Sequence, residues 1–187
     1  IQGDQYAALY SEIMTVELEN DFLPFLYPNQ YVNFSPDSEA SKLALSMVSE
    51  DTSDIDALKQ IYNYVVNNLS YDYDKAETVE TGYLPDVDET LSTKTGICFD
   101  YAALTTAMLR SCDIPCKLQI GYTGDIKHAW IDVYIRSKGW VTNAVSFNGD
   151  SWSLMDPTFD SSADSDDSEA IQDYIGNADN YTVQFTR

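Results

Sequence analysis

Thr95-Gly96-Ile97-Cys98-Phe99-Asp100-Tyr101 is the stretch that decides how this chain is read. A glycine turn runs into an apolar helix, whose stripe of Tyr101, Ala102, Leu104, Thr105, Met108 and Leu109 continues to about Ser111. Cys98 then falls in the first helical turn. Unpaired backbone N–H groups and the positive end of the helix dipole favour negative charge there. A thiol attacks only as its thiolate and is mostly protonated at neutral pH when its pKa is the ordinary value of about 8.5. The Cys98 amide would also be free to donate to a developing oxyanion. Asp100, in the same turn, reads as a helix-end charge rather than a catalytic group. The plain alternative for Cys98 is a small packed residue.

A nucleophile of this kind needs a base, and His128 is the only histidine in the 187 residues. It opens a strand-like run, His128-Ala129-Trp130-Ile131-Asp132-Val133-Tyr134. The lone imidazole excludes a metal site built from several histidines. As base it would take the thiol proton and later return it to the leaving group. A carboxylate at its other nitrogen would orient it. Asp156, in Trp152-Ser153-Leu154-Met155-Asp156-Pro157-Thr158, is the first candidate. Asp132 is the local alternative, because residues of equal parity share a strand face. If the strands pair in sequence order, the strand leading to Asp156 lies two along from the one carrying His128. Ala129, Ile131, Val133 and Ile135 form an aliphatic face, while His128 shares a face with Trp130, Asp132 and Tyr134. Either both faces are covered or the second is an aromatic cleft wall. Each residue taken singly also has a structural reading, as a packed side chain, strand end or turn cap.

Around this centre the spacing predicts helices first and antiparallel strands afterwards, an α+β order. Helices are expected over 4–23, ended by Pro24 and Pro28, over 40–49, and over 54–69 with Ser53 as N-cap. Ser70-Tyr71-Asp72-Tyr73-Asp74 follows, then a loop through Gly82 and Pro85. After Pro115 come strands at 117–122, 128–136, 139–147 and 151–156, with Asn148-Gly149 as a hairpin signal, and a last strand at 181–186. Three units are expected: an N-terminal helical extension (1–50), the core (51–160), and an acidic loop with a closing strand (161–187). The acidic stretch 160–169 reads as a solvated loop; it lacks EF-hand spacing, and no metal or cofactor is expected.

Ten Lys and Arg face 31 Asp and Glu, a formal net charge of -21. Such a surface repels phosphate backbones and anionic lipid, so nucleic-acid partners are not expected. No apolar run reaches the roughly 18 residues of a membrane span. The chain starts at Ile1, as a form whose targeting signal has been removed would, and the composition suits a secreted or cell-surface protein. Cys112 and Cys116 flank Asp113-Ile114-Pro115 and read equally as a disulfide or as two buried apolar residues. With a C-x3-C spacing and no second ligand pair, they are not a zinc site.

Gly96-Ile97-Cys98-Phe99-Asp100-Tyr101-Ala102, Leu109-Arg110-Ser111, Gly121-Tyr122, His128-Ala129-Trp130 and Asp156-Pro157-Thr158 together resemble the bacterial transglutaminase-like domains. The resemblance covers roughly residues 50–160 and includes helix 54–69 with Ser70-Tyr71-Asp72-Tyr73. It implies a papain-like core, with a cysteine-bearing helix packed on an antiparallel sheet. It implies thiol acyl chemistry through a thioester, with Cys98 as nucleophile, His128 as base and acid, and Asp156 as orienter. Family members include cross-linkers, peptidases, amidases and inactive proteins. The expected activity is therefore a cysteine peptidase or amidase rather than an amine-transferring enzyme, acting on a protein or peptide. A silent binding module at a cell surface is the alternative. Tyr83, upstream of the cysteine, is proposed as a substrate-side aromatic and second oxyanion donor, and Trp130 as a substrate-binding residue. The oligomeric state is not legible.

Overall fold

A computed structural model describes residues 12, 14, 15, 17–147, 152–154 and 181–187. Among the described residues, five α-helices precede or interleave with two small strands, and a five-stranded sheet follows. The helices are α1 (Glu39–Met47), α2 (Asp54–Asn68), α3 (Tyr73–Thr78), α4 (Val87–Thr93) and α5 (Cys98–Ser111). The strands are β1 (Ser70–Tyr71), β2 (Thr95–Gly96), β3 (Cys116–Thr123), β4 (Ile126–Ile135), β5 (Gly139–Phe147), β6 (Trp152–Leu154) and β7 (Tyr181–Thr186).

The N-terminal helix expected over 4–23 does not persist to its C-terminal end. Residues 17–22 are not helical, and Leu23–Phe25 is a single 3-10 turn that Pro24 begins rather than ends. Proline lacks only an N–H that the first turn leaves unpaired anyway. Most of 4–16 lies outside the described residues.

α2 forms as the periodicity requires. Ser53 accepts the Asp56 N–H at 3.2 Å, and Ala57, Leu58, Ile61 and Val65 make the buried stripe. Asp54, in its first turn, takes Arg136 from the end of β4, with the Arg136 Nε at 2.9 Å from Oδ1. α1 is capped from outside its own sequence: its Ala40 N–H donates to Asp88 Oδ1 of α4 at 2.9 Å.

α5 is the central element. It is buried on every side from Asp100 to Arg110, with α1, α2 and α4 on one flank and β3 and β4 on the other. An all-round buried helix needs apolar or small residues throughout, which Ala102, Ala103, Leu104, Ala107, Met108 and Leu109 supply. Its one buried cation, Arg110, is satisfied by carbonyls: Cys116 O at 2.7 and 3.0 Å, Tyr27 O at 2.8 Å and Arg187 O at 2.9 Å.

The large sheet is antiparallel throughout, in the order β6-β5-β4-β3-β7. Leu118, Ala129, Ile131, Val133 and Ile135 turn one face to the helices. The opposite face of β4 is also covered, since His128, Trp130 and Asp132 are all buried. β7 reaches β3 only because Gly121 has no side chain: a Cβ there would collide with the Thr182 carbonyl and stand 3.0 Å from the Trp130 ring. Arg187 and Leu118 exchange two backbone bonds of 2.8 Å at the end of this pairing.

Candidate active site

Two short parallel strands assemble the site. β1 pairs with β2 in the register Ser70↔Thr95 and Tyr71↔Gly96. Two residues after Gly96, the chain enters α5 at Cys98. The pairing therefore brings Tyr71 to the first turn of the cysteine helix. The Ala129 and Phe99 N–H groups and the Tyr71 hydroxyl act on the Cys98 thiol, each favouring its thiolate, and the Cys98 N–H acts in the same way on the Tyr71 phenol. Tyr71 is a residue beside Cys98 that sequence reading did not single out. Its signal was the Ser70-Tyr71-Asp72-Tyr73 segment, noted as family-like but without its strand partner.

Ala129 follows His128, so the N–H of β4 that acts on the α5 thiol is one residue along from the histidine. His128 is 6% exposed and stacks on Trp130 at 6.2 Å between centroids, with planes 18° apart. Trp130 is 1% exposed, and its ring also lies 5.1 Å from that of Tyr181. In this conformation Trp130 is packing behind the imidazole rather than a surface.

The electrostatics describe a neutral resting pair. Burial pushes the Cys98 thiol up, outweighing the N–H and hydroxyl groups aimed at it, and the Asp100 charge raises it further. Burial also lowers the His128 imidazole to about 4. Near neutrality both groups are therefore uncharged. Tyr71, pushed up to about 12 chiefly by burial, keeps its proton and remains a donor.

Asp100 is fully buried, and its carboxylate closes the helix end. Oδ2 accepts the Ile97 N–H at 2.8 Å and Lys75 Nζ at 2.8 Å, while Oδ1 accepts a very short bond from the Tyr83 hydroxyl. Lys75 also donates to Tyr83 at 2.7 Å. Gly96 makes room, since a Cβ there would lie 2.6 Å from the Asp100 Cβ. Tyr83 thus turns its hydroxyl to Asp100; the hydroxyl at the sulfur is that of Tyr71.

Asp132 shares the His128 face, as the β3–β4 register requires. Four residues along a strand span roughly 13 Å, Trp130 stands between, and the Asp132 Oδ2 accepts Gln119 Nε2 at 2.6 Å. Asp132 therefore does not orient this imidazole. β6 lies beside β5 and two strands from β4, the sequence-order arrangement. Asp156 and the stretch 160–169 lie outside the described residues.

All three cysteines are free thiols, so Cys112 and Cys116 form no bridge. Cys112 ends α5, whereas Cys116 starts β3 with its sulfur buried 3.5 Å from Thr106 Oγ1. Burial holds them up at about 11 and about 12. Among the described residues no group of three or more His, Cys, Asp or Glu could hold a metal ion. No helix among them is long and apolar enough to cross a membrane.

Comparison with known proteins agrees with this architecture. The profile of the Transglutaminase-like superfamily matches residues 41–157. UPF0252 protein MJ1282 of Methanocaldococcus jannaschii is 40% identical over 62 residues, covering 30% of this chain and 18% of that protein. The uncharacterized protein YebA of Bacillus subtilis is 25% identical over 154 residues, covering 70% of this chain and 21% of its own. The chain thus spans about a fifth of the length of these curated relatives. The crystal structure of a "putative cysteine protease" from Cytophaga hutchinsonii superposes with a TM-score of 0.53 at 25% identity, over 67% of this chain and 42% of that one.

Proposed function

The chain belongs to the transglutaminase-like superfamily, and from that premise we propose that it is a cysteine enzyme acting on amide bonds of proteins or peptides, with water as the favoured acceptor. The observation that carries this reading is the setting of Cys98. It lies in the first turn of a buried helix, its sulfur against the amide that follows the only histidine and under a tyrosine hydroxyl.

Cys98 is the proposed nucleophile and His128 the base. As the sulfur attacks the amide carbonyl carbon, the thiol proton passes to the imidazole. The carbonyl oxygen becomes an oxyanion, which the Cys98 N–H and the Tyr71 hydroxyl are placed to receive. The C–N bond then breaks, the imidazolium protonates the leaving amine, and a thioester remains. Water, deprotonated by His128, attacks the thioester; the sulfur leaves and recovers its proton. Asp156 is the proposed orienter of the imidazole. Because thiol and imidazole both rest uncharged, proton transfer accompanies attack rather than preceding it. The acidic composition suits work outside the cytoplasm as part of the same proposal.

One observation favours a second reading, a silent binding module: the imidazole is buried and the thiol is capped by Tyr71. A peptide-library screen read by mass spectrometry separates the two. New carboxyl ends with the native protein, and none with Cys98→Ala, are the expected result. Neither cleavage nor amine incorporation by the native protein would leave the module.

A further inference from the structure

α3 buries none of its residues, although it follows directly on the strand that carries Tyr71. Tyr73, in its first turn, is 60% exposed. A six-residue helix without a buried face does not hold itself in place. Besides the edge-on contact of the Tyr73 ring with Tyr71, 4.9 Å between centroids, its fastening is polar. Asp72 caps it by accepting the Lys75 N–H at 2.9 Å, and the Asp72 N–H donates to Gly96 O at 2.9 Å. Lys75 then reaches inward to Asp100, and Tyr83, on the far side of the loop, reaches the same carboxylate. Lys75 within the segment 71–83 and Tyr83 at its end are thus tied to one buried charge, two residues past the nucleophile.

We propose that Asp100 is a positioning residue which, through Lys75 and Tyr83, holds segment 71–83 so that the Tyr71 hydroxyl stays at the Cys98 sulfur. This rests on the acyl-transfer reading above. Asp100 touches neither substrate nor sulfur in this role. Its charge also holds the Cys98 thiol up, an effect that acylation and alkylation share; the effect peculiar to acylation runs through the tyrosine.

Two reagents separate this from general support of the fold. Acylation of Cys98 by p-nitrophenyl acetate passes through an oxyanion: the sulfur bonds the acetyl carbon, and p-nitrophenolate leaves. Alkylation by iodoacetamide makes no oxyanion. Asp100→Asn keeps one acceptor oxygen for the Ile97 N–H, turns an NH2 group toward the Tyr83 oxygen where a carboxylate oxygen had accepted its hydroxyl, and gives up the charge that holds Lys75. It is expected to slow acylation about tenfold or more, within the range for a misplaced oxyanion donor, while alkylation of Cys98 holds or quickens. On a Tyr71→Phe background, Asp100→Asn should cost no more than about a further twofold, because its effect runs through the missing hydroxyl. Lys75→Met, which removes the tie from the partly exposed side, should show the same split even if Asp100→Asn does not fold. Equal slowing of both reactions, no slowing of either, or independent multiplication with Tyr71→Phe would each overturn the proposal. If the native protein is not acylated at Cys98 at all, the acyl-transfer reading itself fails; if it is acylated but shows no split, only the role of Asp100 fails.

Discussion

The Tyr71 hydroxyl neighbours the Cys98 thiol and favours its thiolate, while the Cys98 N–H in turn acts on the Tyr71 phenol. One two-residue parallel strand pair, Tyr71↔Gly96, sets this relationship. An acyl oxygen arriving at the sulfur would take over the amide and keep the phenol as its second donor. Tyr71→Phe should therefore lower acylation by p-nitrophenyl acetate by about a hundredfold, the scale of losing one oxyanion donor, with the fold unchanged by circular dichroism. A loss below about threefold would remove Tyr71 from the chemistry.

The uncharged resting pair has a pH signature. A raised thiol pKa delays thiolate formation, so iodoacetamide labelling of Cys98 should keep climbing above the ordinary thiol range of about 8.5 instead of levelling near neutrality. The base is competent only when neutral, and His128 is lowered to about 4. The acid limb of acylation should accordingly fall near that value rather than near 6.5. A labelling plateau at neutral pH would instead show a preformed thiolate–imidazolium pair.

Asp54 ties the first turn of α2 to Arg136 at the end of β4. The Arg136 guanidinium holds the Asp54 carboxyl below its usual range. A lowered folded pKa means the contribution is present above the unfolded value of about 4 and is lost as pH falls through the folded one. Arg136 is largely exposed, so solvent screens the pair. Asp54→Asn should cost about 1 kcal/mol at pH 7, roughly 2–4 °C in Tm for a chain of this size, and less as the pH is lowered below about 4. An unchanged Tm at pH 7 would contradict this.

Gly121 lets β7 lie against β3. A methyl group there meets the Thr182 backbone, which cannot swing aside as a flexible side chain can. Gly121→Ala should destabilise by about 2–3 kcal/mol, measured by urea unfolding, and should loosen protection of the 181–186 amides in hydrogen exchange. Wild-type stability would show that the strand contact is not held as described.

Cys112 and Cys116 are free. Tm should be the same with and without reductant, and three thiols should titrate in denaturant without reductant, matching the three cysteines of the sequence. One reactive thiol and a reductant-sensitive Tm would show a bridge.

Where apolar periodicity was strong, the elements followed it. Helix 54–69 and the helix from Cys98 carry stripes that one face or the whole surface buries, and alternation in β4 left little choice of face. The short helices α3 and α4 carry no such stripe: α3 has no buried residue, and α4 buries only Val87 and Thr90. The loop expected through Gly82 and Pro85 hid both. The N-terminal segment failed differently. Phe22 and Phe25 pack on Trp140 at 6.1 and 5.4 Å, and Lys117 lies 3.8 Å above that indole ring. These tertiary contacts hold residues 22–25 in a tight turn where spacing alone suggested a helix. At the site, Cys98 and His128 announced themselves as a candidate nucleophile and a candidate base. Tyr71 did not, because a tyrosine becomes a donor only through a strand pairing that two residues cannot signal. Asp100 was recognised as a helix-end charge, but its bonds to Lys75 and Tyr83 cross 25 and 17 residues of chain.

The most direct test of the account is mass spectrometry of the native protein after p-nitrophenyl acetate. A single acetyl group on Cys98, formed at least about a hundredfold more slowly in His128→Ala, is the predicted result, the scale expected for loss of a general base. Acetylation spread over lysines with Cys98 unmodified, or equal rates with and without His128, would contradict it.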